Sequence, residues 1–162
     1  MLCRYFYQKG LIYLALLCYN TGVERYLCLD IGDKRIGVAV SDPFNSYSLP
    51  VETYHRKNLK TDLLKIAEYV KQKGATVLVC GLPVNFDGTP SVQTQRAQYF
   101  IDRLAETLSV KIVCMDERCS TIEAEEVLIE QGKSRQERKS CVDALAAATI
   151  LQAHLNDINK NK

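Results

Sequence analysis

Between residues 26 and 54 the chain sets short apolar runs between abrupt polar breaks. Residues 26–31 (YLCLDI) form an aromatic and branched run ending at Gly32, the mark of a strand. Gly32-Asp33-Lys34 then leads into a second run, residues 35–40 (RIGVAV), which Ser41, Asp42 and Pro43 stop. Two such runs joined by a tight Gly-Asp turn predict a hairpin. A third extended stretch, residues 49–54, completes a three-stranded meander.

The period then changes. From Leu59, apolar residues recur at Leu63, Leu64, Ile66, Ala67 and Val70 with charges between them, predicting an amphipathic helix stopped by Gly74. Residues 76–80 (TVLVC) are continuously apolar, as in a strand buried on both faces. A loop rich in Gly, Pro, Asn and Asp (81–91) precedes a helix over 92–108 and a strand over 111–115 (KIVCM). Ser120 with Glu123 forms a capping-box signature for a helix over 121–131, ending at Gly132. A last helix is predicted over 140–156. A meander followed by alternating strands and helices implies an α/β fold, a mixed five-stranded sheet with helices on both faces. That order is the RNase H-like architecture.

Composition narrows the class. At 162 residues the length suits one domain, read here as residues 25–158. Residues 1–24 are an extension of unknown role. They carry Arg4, Lys9 and an apolar run over 11–18, loosely like a signal peptide. That run is far short of the ~20 residues that span a bilayer, and no cleavage site follows. No membrane association is expected. A net charge of +2 neither demands nor excludes a nucleic-acid partner. Seven cysteines, an odd number with no C-x-x-C pair, fit neither a zinc site nor a disulfide framework. Reduced thiols and a cytoplasmic location follow.

Three acids stand out. Asp30 ends the first strand among apolar neighbours, at the carboxyl edge where open α/β sheets bind ligands. Spacing alone equally allows a turn residue. Glu117 follows the strand over 111–115, and on its own reads as well as a solvated loop acid paired to Arg118. Asp143 is the most informative. In CVDALAAATIL it is the only ionisable group besides the Cys141 thiol, and Ala146, Ala147 and Ile150 share its face. A buried carboxylate is tolerated chiefly beside a metal or a paired charge. The alternative is an acid near a helix start, favoured by the dipole.

Together the three acids supply hard oxygen ligands for Mg²⁺ (or Mn²⁺) in two-metal phosphodiester hydrolysis. His55 and His154 show no metal-binding spacing. Cations accompany each acid: Lys34 and Arg35 after Asp30, Arg118 beside Glu117, and Lys133, Arg135, Arg138 and Lys139 before Asp143. These suit phosphate contacts, although the last group also reads as ordinary solvated surface. The 81–91 loop, with Asn85, reads either as a cover over substrate or as a plain connector.

Four segments, LDIGDKRIGVAVSDP (29–43), GLPVNFDGT (81–89), DERCST (116–121) and KSCVDALAAATILQAHL (139–155), resemble the YqgF/RuvX family. Its members are RNase H-like proteins related to RuvC Holliday-junction resolvases. The resemblance covers residues 26–155 in order and leaves 1–24 without a counterpart. It implies a cytoplasmic pre-16S rRNA nuclease acting in 5′-end maturation during ribosome biogenesis, with branched DNA as the alternative substrate. It carries the catalytic and metal-binding roles onto Asp30, Glu117 and Asp143. Lys34, Arg35, Asn85, Arg118, Arg138 and Lys139 become the substrate-binding candidates, and a homodimer is left open. Asp33 stands where the family often has a small hydroxyl residue, which puts an extra carboxylate near Asp30. Two other readings compete. An actin-like or sugar-kinase ATPase also opens with a strand and D-x-G, but places nucleotide between two such domains. A non-catalytic RNA-binding or transcription factor would not need Asp30.

Overall fold

The computed structural model describes residues 24–82, 91–116 and 135–160, with backbone course alone at 116 and 135–140. Strands β1 (Tyr26–Ile31), β2 (Arg35–Ser41) and β3 (Ser48–His55) form the antiparallel meander. Strand β4 (Val77–Leu82) lies parallel to β1, and β5 (Lys111–Asp116) parallel to β4. The order across the sheet is β3-β2-β1-β4-β5, which puts β1 at the centre. Its apolar run over 26–29 fits that place, because a central strand buries both faces.

Helices α1 (Leu59–Lys73) and α2 (Val92–Thr107) cover one face, and α3 (Arg135–Lys160) covers the other. Side-chain alternation divides each strand between two cores. Leu27, Leu29, Ile36, Val38 and Leu78 pack with Ile66, Phe100 and Leu104 of α1 and α2. Tyr26, Cys28, Ala39, Val77 and Val79 pack with Ala147, Ile150, Leu151 and Leu155 of α3. Cys28 and Cys80 are buried thiols, one in each core.

Local signals set the helix ends. Asn58 caps α1 by accepting from the Thr61 amide at 3.0 Å, and Gly74 ends it at φ 62°, a left-handed conformation that glycine adopts without a Cβ penalty. Ser91 and Thr94 form a reciprocal capping box at α2. The predicted strands and the first two helices stand within two residues of their expected ends. The helix expected over 121–131 lies outside the described residues, as does most of the 81–91 loop.

One boundary differs with consequence. The last helix begins at Arg135, five residues before the expected start at 140. Residues 135–139 are strong helix formers with no apolar period, so a periodicity reading passes over them. Asp143 therefore lies roughly two turns inside the helix. Dipole stabilisation at a helix start is excluded for it, since that effect fades within the first turn. Among the described residues, no helix is long and apolar enough to cross a membrane.

Candidate active site

The centre of the site is where α3 touches β2. Gly37 pairs with Asp30 across the β1–β2 ladder, and the α3 backbone passes directly over it. A Cβ built on Gly37 would lie 1.8 Å from the carbonyl oxygen of Asp143. No residue with a side chain allows that approach. Asp30 shares this face of the sheet by alternation, because Tyr26 and Cys28, at four and two residues before it, both pack toward α3. Its other register partner is Gly81 on β4. Asp30 thus has glycine on both neighbouring strands. One glycine admits the Asp143 backbone, and the other leaves the flank free of a side chain.

The carboxylate of Asp143 meets Arg35, the first residue of β2. Arg35 Nε is 2.6 Å from Oδ2, and Nη2 makes a long 3.5 Å contact with Oδ1. The short contact lies off the line of a hydrogen bond, so Oδ2 is buried yet accepts none. The Asp143 side chain is 18 % exposed and that of Arg35 32 %. A buried oxygen without a well-aligned donor, on a hard carboxylate, fits a divalent cation. Among the described residues, no three His, Cys, Asp or Glu side chains converge, and Glu117 lies outside them.

The other expected site residues divide into three groups. Lys34 is exposed on the β1–β2 turn, next to the Arg35–Asp143 pair. Arg138 and Lys139 lie on the first turns of α3, where only the backbone is described. Asn85 and Arg118 lie outside the described residues. Asp33 does not join the acids on the α3 side: its carboxylate pairs with Arg96 of α2 at 3.0 Å, toward the opposite face. The turn is also held from that face, where Arg56 donates to the Gly32 carbonyl at 3.0 Å and pairs with buried Asp62 at 3.1 Å.

Sequence reasoning assigned no role to Gly37, and it took Arg35 as a phosphate ligand rather than as a partner of Asp143. A signal for the first was present. An isolated glycine inside a strand pattern marks a close backbone approach. The Arg35–Asp143 pair had none, since nothing local connects residues on separate elements.

The sheet order and the placement of helices define an RNase H-like domain. Solved structures agree on the fold. Thermus thermophilus RuvC in complex with a Holliday junction superposes with a TM-score of 0.57 at 15 % identity, covering 85 % of this chain and 97 % of RuvC. The fowlpox virus resolvase in complex with Holliday junction DNA gives 0.54 at 12 % identity, covering 83 % and 98 %. At such identities the likeness concerns fold alone.

Sequence similarity goes further. The model of the RuvX family, described as Holliday junction resolvase, matches residues 24–157. A protein of Thermoanaerobacter pseudethanolicus named "Putative pre-16S rRNA nuclease" is 40 % identical over 139 residues, 85 % of this chain and 99 % of that protein. One of the same name from Clostridium tetani is 40 % identical over 134 residues, 83 % and 97 %. The chain belongs to the RuvX family.

Proposed function

We propose that this protein is a divalent-metal-dependent nuclease that hydrolyses phosphodiester bonds of precursor 16S rRNA during maturation of its 5′ end, in the cytoplasm. The observation that carries the catalytic part is the seating of Asp143 over Gly37, beside Asp30. It brings two hard carboxylates from distant parts of the chain to one edge of the sheet. The names of the similar proteins support the RNA substrate.

Asp30 and Asp143 would hold the metal, Mg²⁺ or Mn²⁺, with Glu117 as the third ligand. Val113 and Met115 of β5 pack toward the α3 core, and Glu117 follows that strand in the chain. Held by these carboxylates, such a metal would supply activation of a water and stabilisation of the leaving oxygen. The protein's part is to fix the carboxylates on rigid elements and to exclude competing side chains, which the two glycines achieve. Lys34 on the turn, with Arg138 and Lys139 on α3, would contact backbone phosphates; Asn85 and Arg118 are the further candidates. Residues 25–158 form the nuclease domain in this reading, and 1–24 are an extension of unknown role.

A second reading, resolution of branched DNA, is favoured by the family description and by the two resolvase–junction complexes of similar fold. Cleavage of precursor 16S rRNA and of four-way DNA junctions, side by side in Mg²⁺, decides between them. The expected result is metal-dependent cut sites at the 5′ end of the precursor, abolished in Asp30→Asn and in Asp143→Asn. Cleavage of junctions alone selects the second reading. Cleavage unchanged in either variant would overturn the carboxylate mechanism.

A further inference from the structure

The acid site holds a cation that the proposed chemistry leaves unused. Arg35 sits with Nε 2.6 Å from Asp143 Oδ2, the buried oxygen that accepts no hydrogen bond. Resting on the metal-dependent reading above, we propose that Arg35 is a positioning residue that occupies the cation place at Asp143 until a divalent ion displaces it.

Three observations carry this. First, Asp143 cannot retreat from either cation, because its own carbonyl is pressed onto Gly37 and the helix backbone is held there. Any exchange must therefore be made by side chains. Second, the pair is unequally exposed. Asp143 is 18 % exposed and would be a poorly compensated buried charge without a partner, whereas Arg35 is 32 % exposed and can withdraw its guanidinium into water. Third, the contact falls short of the parallel two-bond fork that makes arginine–carboxylate pairs strong. Oδ2 has proximity without alignment, and Oδ1 has only the 3.5 Å contact. Arg35 is thus close enough to hold the carboxylate in place and too loosely bonded to resist a doubly charged competitor. A guanidinium and a divalent ion on one carboxylate oxygen repel each other, so binding of the ion expels the arginine into solvent.

The test is Mn²⁺ binding by the full chain without nucleic acid, followed by electron paramagnetic resonance of the free ion. Removing the competitor in Arg35→Gln should tighten Mn²⁺ binding about fivefold, the worth of a partly exposed ion pair. Arg35→Lys, which keeps the charge, should return it toward the wild-type value. Asp143→Asn should lose the site in any background. If Arg35→Gln binds Mn²⁺ with unchanged or weaker affinity while Asp143→Asn loses it, the exchange is overturned and the metal site stands. If Asp143→Asn binds as well as wild type, or wild type binds none, the metal-dependent reading fails and the exchange fails with it.

A measurement on the wild type covers the case in which Arg35→Gln does not fold. The Arg35 Nε–H resonance, assigned by its absence from Arg35→Lys, should move in chemical shift on saturation with Mg²⁺ as the Asp143 carboxylate leaves its side. A resonance indifferent to Mg²⁺ overturns the proposal.

Discussion

Asp62 shows how much a single side chain can hold on the side of the sheet opposite the acids. It is 1 % exposed, and its carboxylate accepts from the Tyr54 hydroxyl at 3.0 Å, the Lys57 amide at 2.9 Å and Arg56 Nε at 3.1 Å. Arg56 in turn stacks over Phe100 and holds the Gly32 carbonyl, so the chain of contacts ends at the turn that follows Asp30. Asp62→Ala strands a largely buried guanidinium, and should cost about 3 kcal/mol, read as a lower denaturant midpoint at unchanged slope. In the sequence Asp62 was one of several charges between the apolar positions of a helix. A residue's burial depends on what packs over it, which a single helix does not reveal. Asp143 was legible for the opposite reason: eleven residues with one carboxylate among them leave that group no polar face to occupy.

Gly37 governs how α3 sits on the sheet. The Cβ of Gly37→Ala would overlap the Asp143 carbonyl, so the helix must lift locally, at a cost of about 1–3 kcal/mol. Displacing Asp143 by about an ångström should lower cleavage about a hundredfold, with the far-ultraviolet circular dichroism preserved. Loss of fold without that disproportionate loss of activity would show that Gly37 serves packing alone. The helix ends offer a control far from the acids. Ser91→Ala removes the α2 cap and should cost about 1 kcal/mol by thermal melting, with metal binding untouched. Element types were legible because periods of two and 3.6 are written locally. The start of α3 was not, because its first turns have charge and helix propensity in place of an apolar stripe.

Across the whole molecule, Tyr26 ties the central strand to α3 and to the residues before β1. Its buried ring meets His154 of α3 edge-on at 5.4 Å, and its hydroxyl donates to Glu24. Burial first, then the Glu24 carboxylate, push the phenol up from 10.0 to about 12. Because the folded state keeps a proton that the unfolded chain releases, the stabilisation is complete below pH 10 and is lost as pH rises from there to about 12. Alkaline unfolding should follow that window, and Tyr26→Phe should flatten the loss of stability within it. A variant with the wild-type alkaline profile would assign the transition to other groups.

What the sequence by itself determined is everything that propensity, period and turn chemistry express within a few residues. It marked five strands, the hairpin at Gly32, three of the helices, and a carboxylate in α3 that had to face the protein body. Only the tertiary structure decided that β1 lies between β2 and β4, so that Asp30 has glycine on both sides. It also decided that Asp33 points away toward Arg96, while Arg35 turns onto Asp143. The physical reason is the same in each case. Strand register and helix docking join residues far apart in the chain, and the contact that seats Asp143 beside Asp30 depends on a side chain that Gly37 lacks.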